Sequence, residues 1–175
     1  FKDGRDKDAM DKFRQIRLAE GVWGEMGAYF FAVLAYREGR YEEAYDAFSR
    51  VKPEAKFAEN LDVLKASCLL KLKRYDELDA LGEKLLEADS KASGEVFFIL
   101  ANAAYDRSKF SDCITYFEKA IEKRVEMNRQ AQYRLAYCYY RRGDFPKAQT
   151  QFEKVTHEED TLSQKDGPAQ GGRRQ

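Results

Sequence analysis

From Tyr133 to Val155 the chain reads YRLAYCYYRRGDFPKAQTQFEKV, two short runs of helical period on either side of a polar turn. The second run places Phe145, Ala148, Phe152 and Val155 at separations of 3, 4 and 3, which puts all four on one helical face. The first run is rich in Ala and Tyr, and the joint is Arg-Arg-Gly-Asp. The unit recurs along the chain. Tyr41, Tyr75, Phe110 and Phe145 are separated by 34, 35 and 35 residues. Nine residues before each ring stands a small residue, Ala32, Ala66, Ala101 or Ala136. Three residues after come Ala44, Leu78, Cys113 and Ala148, and seven after come Phe48, Gly82, Phe117 and Phe152. Ten after come Val51, Leu85, Ala120 and Val155.

The spacing has a physical meaning. A small residue lets the two helices of a hairpin approach closely. The large rings fill the gap to the next hairpin, because one hairpin cannot bury its own apolar face. A period near 34 with two helices per unit, carried by stretches such as REGRYEEAYDAF and RRGDFPKAQTQF, resembles the tetratricopeptide repeat family. The resemblance covers residues 1 to about 160. The second copy departs from it, with Leu78 and Gly82 where Ala and an aromatic are usual, and the family's Trp and closing Pro are missing from their usual places. The resemblance implies an all-α fold, a right-handed α-solenoid of stacked helix-turn-helix repeats. It implies a non-catalytic binding scaffold, and by itself it names no partner.

Residues 1–20 align with the fourth copy: Gly4 over Gly143, Ala9 over Ala148, Phe13 over Phe152 and Ile16 over Val155. They read as the second helix of a leading half-repeat, over 5–20, with an unrelated capping helix as the alternative. Residues 21–160 read as four repeats, about 25–56, 57–91, 92–126 and 127–160. Their helices are expected at 25–37 and 41–52, 54–72 and 75–88, 93–107 and 110–123, and 127–142 and 145–156. Pro53 and Pro146 each fit the first turn of a helix. The glycines of GVWGEMG, residues 21–27, favour a turn or kink, and Trp23 is expected to pack between the first helix and the next hairpin. THEEDTLSQ looks like the start of a further hairpin, and 161–175 like a truncated helix and a flexible tail.

Composition narrows the function. Lys plus Arg number 31 and Asp plus Glu number 31, so there is no net charge and no basic surplus for a nucleic-acid partner. No apolar run approaches the ~20 residues that cross a bilayer, so membrane insertion is not expected. The chain does not begin with Met, which leaves a targeting segment open and the compartment, cytoplasm or bacterial periplasm, undetermined. Cys68, Cys113 and Cys138 form no Cys-x-x-Cys pair and read as buried free thiols acting as small hydrophobes.

Candidate chemistry is sparse. The single histidine, His157, lies in a run of consecutive charges whose side chains splay around a helix rather than converge on a metal. No phosphate-binding glycine motif is present. No enzyme, cofactor or metal is expected. What remains is the concave face, lined by first helices in such an array. Inward positions recur 12, 8 and 5 residues before each ring. The candidate peptide-binding residues are Tyr29, Tyr36, Phe98, Asn102, Tyr105, Tyr133, Arg134, Tyr137 and Tyr140. Tyrosine offers broad apolar area and one hydroxyl at low entropic cost. The alternative is that several of these rings pack on the adjacent helix. The expected partner is a protein or peptide, with self-association through open array ends as a further expectation. A spacer within a longer array and a chaperone for a secreted client are the rival readings.

Overall fold

The computed structural model describes residues 2–87 and 93–165, with side chains over 4–87 and 93–156. Among the described residues there are nine helices and no strand. They are α1 Lys2–Ile16, α2 Gly21–Arg37, α3 Tyr41–Phe48, α4 Leu61–Lys71, α5 Tyr75–Glu87, α6 Gly94–Asp106, α7 Phe110–Glu122, α8 Arg129–Arg142 and α9 Phe145–Lys165. The fold is the all-α solenoid of stacked hairpins that the period predicts.

Each of the four periodic rings is the first residue of a helix: Tyr41 of α3, Tyr75 of α5, Phe110 of α7 and Phe145 of α9. The turn before each ring is the same. Two residues ahead of it stands Gly39, Lys73, Ser108 or Gly143, with φ of 78°, 56°, 59° and 81°. This left-handed residue closes the preceding helix, as in Gly143 N donating to Tyr140 O at 3.0 Å and Asp144 N to Tyr139 O at 3.0 Å. Glycine adopts that conformation freely. Lys73 and Ser108 adopt it at roughly 1–2 kcal/mol each, a cost the packing on either side offsets.

The packing obeys the register. Ala32, Ala66, Ala101 and Ala136 are all fully buried, and so are Phe48 and Phe117. Burying a Phe stabilises by roughly 1.5–3 kcal/mol. The core falls into two clusters, a front one built on Phe31 and Phe48 and a back one on Phe97, Leu100 and Phe117. Helix α4 serves both, with Cys68 in the front cluster and Ala66 and Leu69 in the back one.

Several expectations need correction. Helix α3 ends at Phe48 rather than 52, and residues 49–60 form turns, so Pro53 opens no helix. A proline drives the residue before it, here Lys52, out of the helical region. Phe57 and Ala58 then pack on the front cluster and hold the chain in turns. The stretch 21–27 is no kink: α2 runs unbroken from Gly21. Gly24 and Gly27 are close-approach glycines, buried where a methyl would meet the Ala19 carbonyl or the Ile16 side chain. Trp23 does not pack between helices. It is 72% exposed, because the glycine face turns toward α1 and carries its neighbour outward. THEEDTLSQ starts no new hairpin; its residues continue α9 to Lys165. The His157 side chain and the tail with Arg173 and Arg174 lie outside the described residues.

Candidate functional site

The inward residues of the front hairpin are occupied by the chain itself. Tyr29 on α2 is half-buried and meets the edges of Phe30, Phe48 and Phe57, at centroid separations of 5.5, 5.9 and 5.8 Å. Phe57 comes from the turns at 49–60. Tyr36 meets Tyr41 at 5.2 Å across the turn. In the third hairpin Phe98 stands edge-on to the buried Phe117 at 5.9 Å.

The back hairpins arrange their rings differently. Tyr105 on α6 meets Tyr137 on α8 at 6.0 Å, and Tyr137 also meets Phe110 at 5.9 Å and Tyr140 at 6.4 Å. Tyr140 meets Phe145 at 5.7 Å, and Tyr133 meets Phe152 at 5.7 Å. Tyr105 and Tyr137 are half-buried, whereas Tyr133, Tyr140 and Phe145 keep 48%, 53% and 61% of their surface exposed. A cleft of about 560 Å³ opens between Tyr105, Phe110, Tyr133 and Tyr137, with Asp106 and Arg141 at its edge. A second, more apolar cleft of about 450 Å³ continues along Tyr140, Phe145 and Phe152.

The polar residues of this region are held in place. Asn102 donates its side-chain N–H to Phe98 O at 2.8 Å and accepts from Arg134 at 2.9 Å. Arg134 lies over the Tyr105 ring at 4.8 Å and pairs with Asp106 at 3.3 Å. Burial pushes the Tyr105 hydroxyl pKa up, so it stays a neutral donor and acceptor. Asn102 and Arg134 therefore fix α6 against α8 beside Asp106, which lines the cleft. Phe110, Phe145 and Arg141 line the clefts without having been among the candidate peptide-binding residues. The signal for the two rings was present, since they are the periodic rings themselves. Arg141 joins only because the fold lays it over a ring from the preceding hairpin.

The thiols lie apart from these clefts. Cys113 and Cys138 are free and fully buried, with sulfurs 2.9 Å apart between α7 and α8. Cys68 is also buried, which pushes its thiol pKa up to about 11. The Cys113 hydrogen bond pulls the Cys138 thiol pKa down, but both sulfurs of that pair are enclosed in the core. Among the described residues no group of three or more His, Cys, Asp and Glu is placed to hold a metal ion, and no helix is long and apolar enough to cross a membrane.

Residues 100–158 match the family model described as Tetratricopeptide repeat. No curated protein matches the chain in sequence. Among solved structures, a double mutant of MamA from strain RS-1 is 20% identical over 93% of this chain and 90% of that chain, with a TM-score of 0.70. MamA from residue 41 onward of Desulfovibrio magneticus RS-1 is 20% identical over 91% and 89%, with a TM-score of 0.65. BtubC from P. vanneervenii is 17% identical over 99% and 80%, with a TM-score of 0.63. At such identities the likeness establishes the fold alone.

Proposed function

We propose that the protein is a non-catalytic interaction scaffold whose back hairpins bind a peptide segment of a partner protein, a reading supported by the tetratricopeptide repeat match over residues 100–158 and by the stacked hairpins of the described residues. The family match supports the scaffold in general. The observation that carries the peptide groove is the row Tyr105, Tyr137, Tyr140 and Phe145, rings in successive contact that still present open surface. An extended or helical segment with apolar anchors fits such a row, with Asn102, Arg134 and the tyrosine hydroxyls fixing its register. Tyr29, Tyr36 and Phe98 support the inner face rather than anchor the ligand, because they line neither of the two clefts.

The test uses Tyr137→Ala, thermal melting and capture of peptides from a short random library. Truncating an interface anchor costs ~2 kcal/mol or more of binding, whereas removing a core ring costs ~3–5 kcal/mol of stability. Lost capture with a nearly unchanged melt is the expected result. A large fall in melting temperature with capture intact would place Tyr137 in the core and favour the spacer reading.

A second reading, end-to-end association of arrays, draws on Leu18, Val22 and Trp23, 72%, 63% and 72% exposed at the α1–α2 joint. Light scattering over a dilution series, with Trp23→Ser beside the wild type, tests it. A mass that stays monomeric at every concentration would rule it out.

A further inference from the structure

Two arginines lie over successive rings of the repeat, and the chain closes only one of them. Arg107 lies over Tyr75, 4.8 Å from its centroid, and both of its terminal nitrogens donate to Asp79, at 2.8 and 2.5 Å. Arg141 lies over the next ring, Phe110, at 4.5 Å, and donates to the Tyr137 hydroxyl at 3.0 Å. Asp79 stands four residues after Tyr75. Four residues after Phe110 the chain has Ile114 instead. Among the described residues no carboxylate pairs with Arg141. The other charged residue lining the cleft is Asp106, which pairs with Arg134 at 3.3 Å. Asp106 is thus already engaged, and Arg141 is the cleft's cation without a carboxylate partner among the described residues.

We infer that Arg141 receives a carboxylate from the partner: an Asp or Glu side chain flanked by an aromatic or branched apolar residue. This rests on the peptide-binding reading above and specifies its ligand. The internal Arg107–Asp79 pair shows what a completed site looks like, a guanidinium flat on a ring with a carboxylate bridging both nitrogens. At Arg141 the ring and the Tyr137 hydroxyl already hold the guanidinium, so little side-chain freedom remains to be lost when an anion arrives. The acidic residue's apolar neighbour then stacks on Tyr105, Tyr137 or Tyr140. Ile114 keeps the chain from supplying the carboxylate itself.

The experiment selects a short random-peptide library on the immobilised full chain, wild type and Arg141→Gln. The wild type should enrich Asp or Glu beside aromatic or branched apolar residues. Synthetic copies of the enriched peptides should bind Arg141→Gln roughly tenfold or more weakly. Replacing the peptide's acid by its amide should produce the same loss on the wild type and no further loss on the variant. Ile114→Asp, which sets a carboxylate where α5 has Asp79, should weaken the same peptides by a similar factor, with a helical melt recorded to establish that the variant is folded. Enrichment of apolar peptides without acidic preference, equal on both proteins, overturns the assignment of Arg141 and leaves the groove standing. No selective enrichment on the wild type overturns both.

Discussion

The front hairpin, α2 and α3, and the last hairpin, α8 and α9, share one register and cover their inward rings to different degrees. Tyr29 is covered by Phe48 and by Phe57. Tyr137, in contact with three rings, still lines an open cleft. The small residues and left-handed turns are alike in both regions, so the cause lies elsewhere. Helix α3 stops at Phe48, and the turns of 49–60 carry Phe57 beneath Tyr29. Helix α7 runs on to Glu122 and sends no ring back over the inner face. The repeat register fixes where the helices lie. The segment leaving the second helix of a hairpin decides whether the inner face is free.

The largest effect that would test this contrast is at the front core. Phe48 is fully buried, and Phe48→Ala should cost ~3–5 kcal/mol. Neighbour-only coupling in such arrays predicts that hydrogen exchange speeds up in α2 and α3 while α6 to α8 keep their protection. Equal loss across all helices would show one cooperative unit instead of two regions. Next comes a matched pair of tyrosines. Tyr29→Ala should destabilise by ~2 kcal/mol or more because its ring is packed, while Tyr140→Ala should change stability by less than ~0.5 kcal/mol. Similar melts for the two variants would erase the distinction drawn between covered and open rings.

A smaller effect concerns Asp79. The Arg107 hydrogen bonds hold its carboxyl below the usual carboxylate range, with Lys109 adding to the shift against burial. A depressed carboxylate contributes stability above its unfolded pKa and loses it as pH falls through its folded one. Asp79→Asn should therefore lower stability by about 1–2 kcal/mol near neutrality, since the pair is largely shielded from solvent. The gap between wild type and variant should close below the ordinary carboxylate range. A gap that persists in strong acid would mean that Asp79 acts through shape and not charge. The smallest effect is chemical. With Cys68 pushed up to about 11 by burial, its thiol should resist alkylation of the native chain at pH 8 and react once the chain is denatured.

Much of the fold was legible because Tyr41, Tyr75, Phe110 and Phe145 each do two things: they mark the period and they open a helix. Where a residue's role depends on a neighbour outside its own repeat, the pattern was silent. Trp23 looked like a packing residue, yet Gly27, one turn on, sets the face that meets α1. Pro53 looked like a helix start, but Phe57 and Ala58 bury in turns just beyond it. The inner tyrosines could be placed on one face from their spacing. Their freedom could not, because Tyr29 is closed by a loop residue 28 positions away. The cleft's cation, Arg141, was hidden for the same reason: its ring belongs to the preceding hairpin.

The turns of 49–60 also set where the polypeptide can be opened. Lys52, Pro53, Glu54 and Lys56 are exposed, while Val51 and Ala58 on either side are buried. A break at Glu54 would leave both flanking apolar grips intact. The front cluster would still reach across the cut, since Cys68 of α4 belongs to it together with Phe31 and Phe48. Two separately made pieces, one ending there and one beginning there, should recognise each other through that shared face. The seam that closes Tyr29 thus makes the molecule a natural pair of complementing fragments, with the open cleft carried wholly on the second.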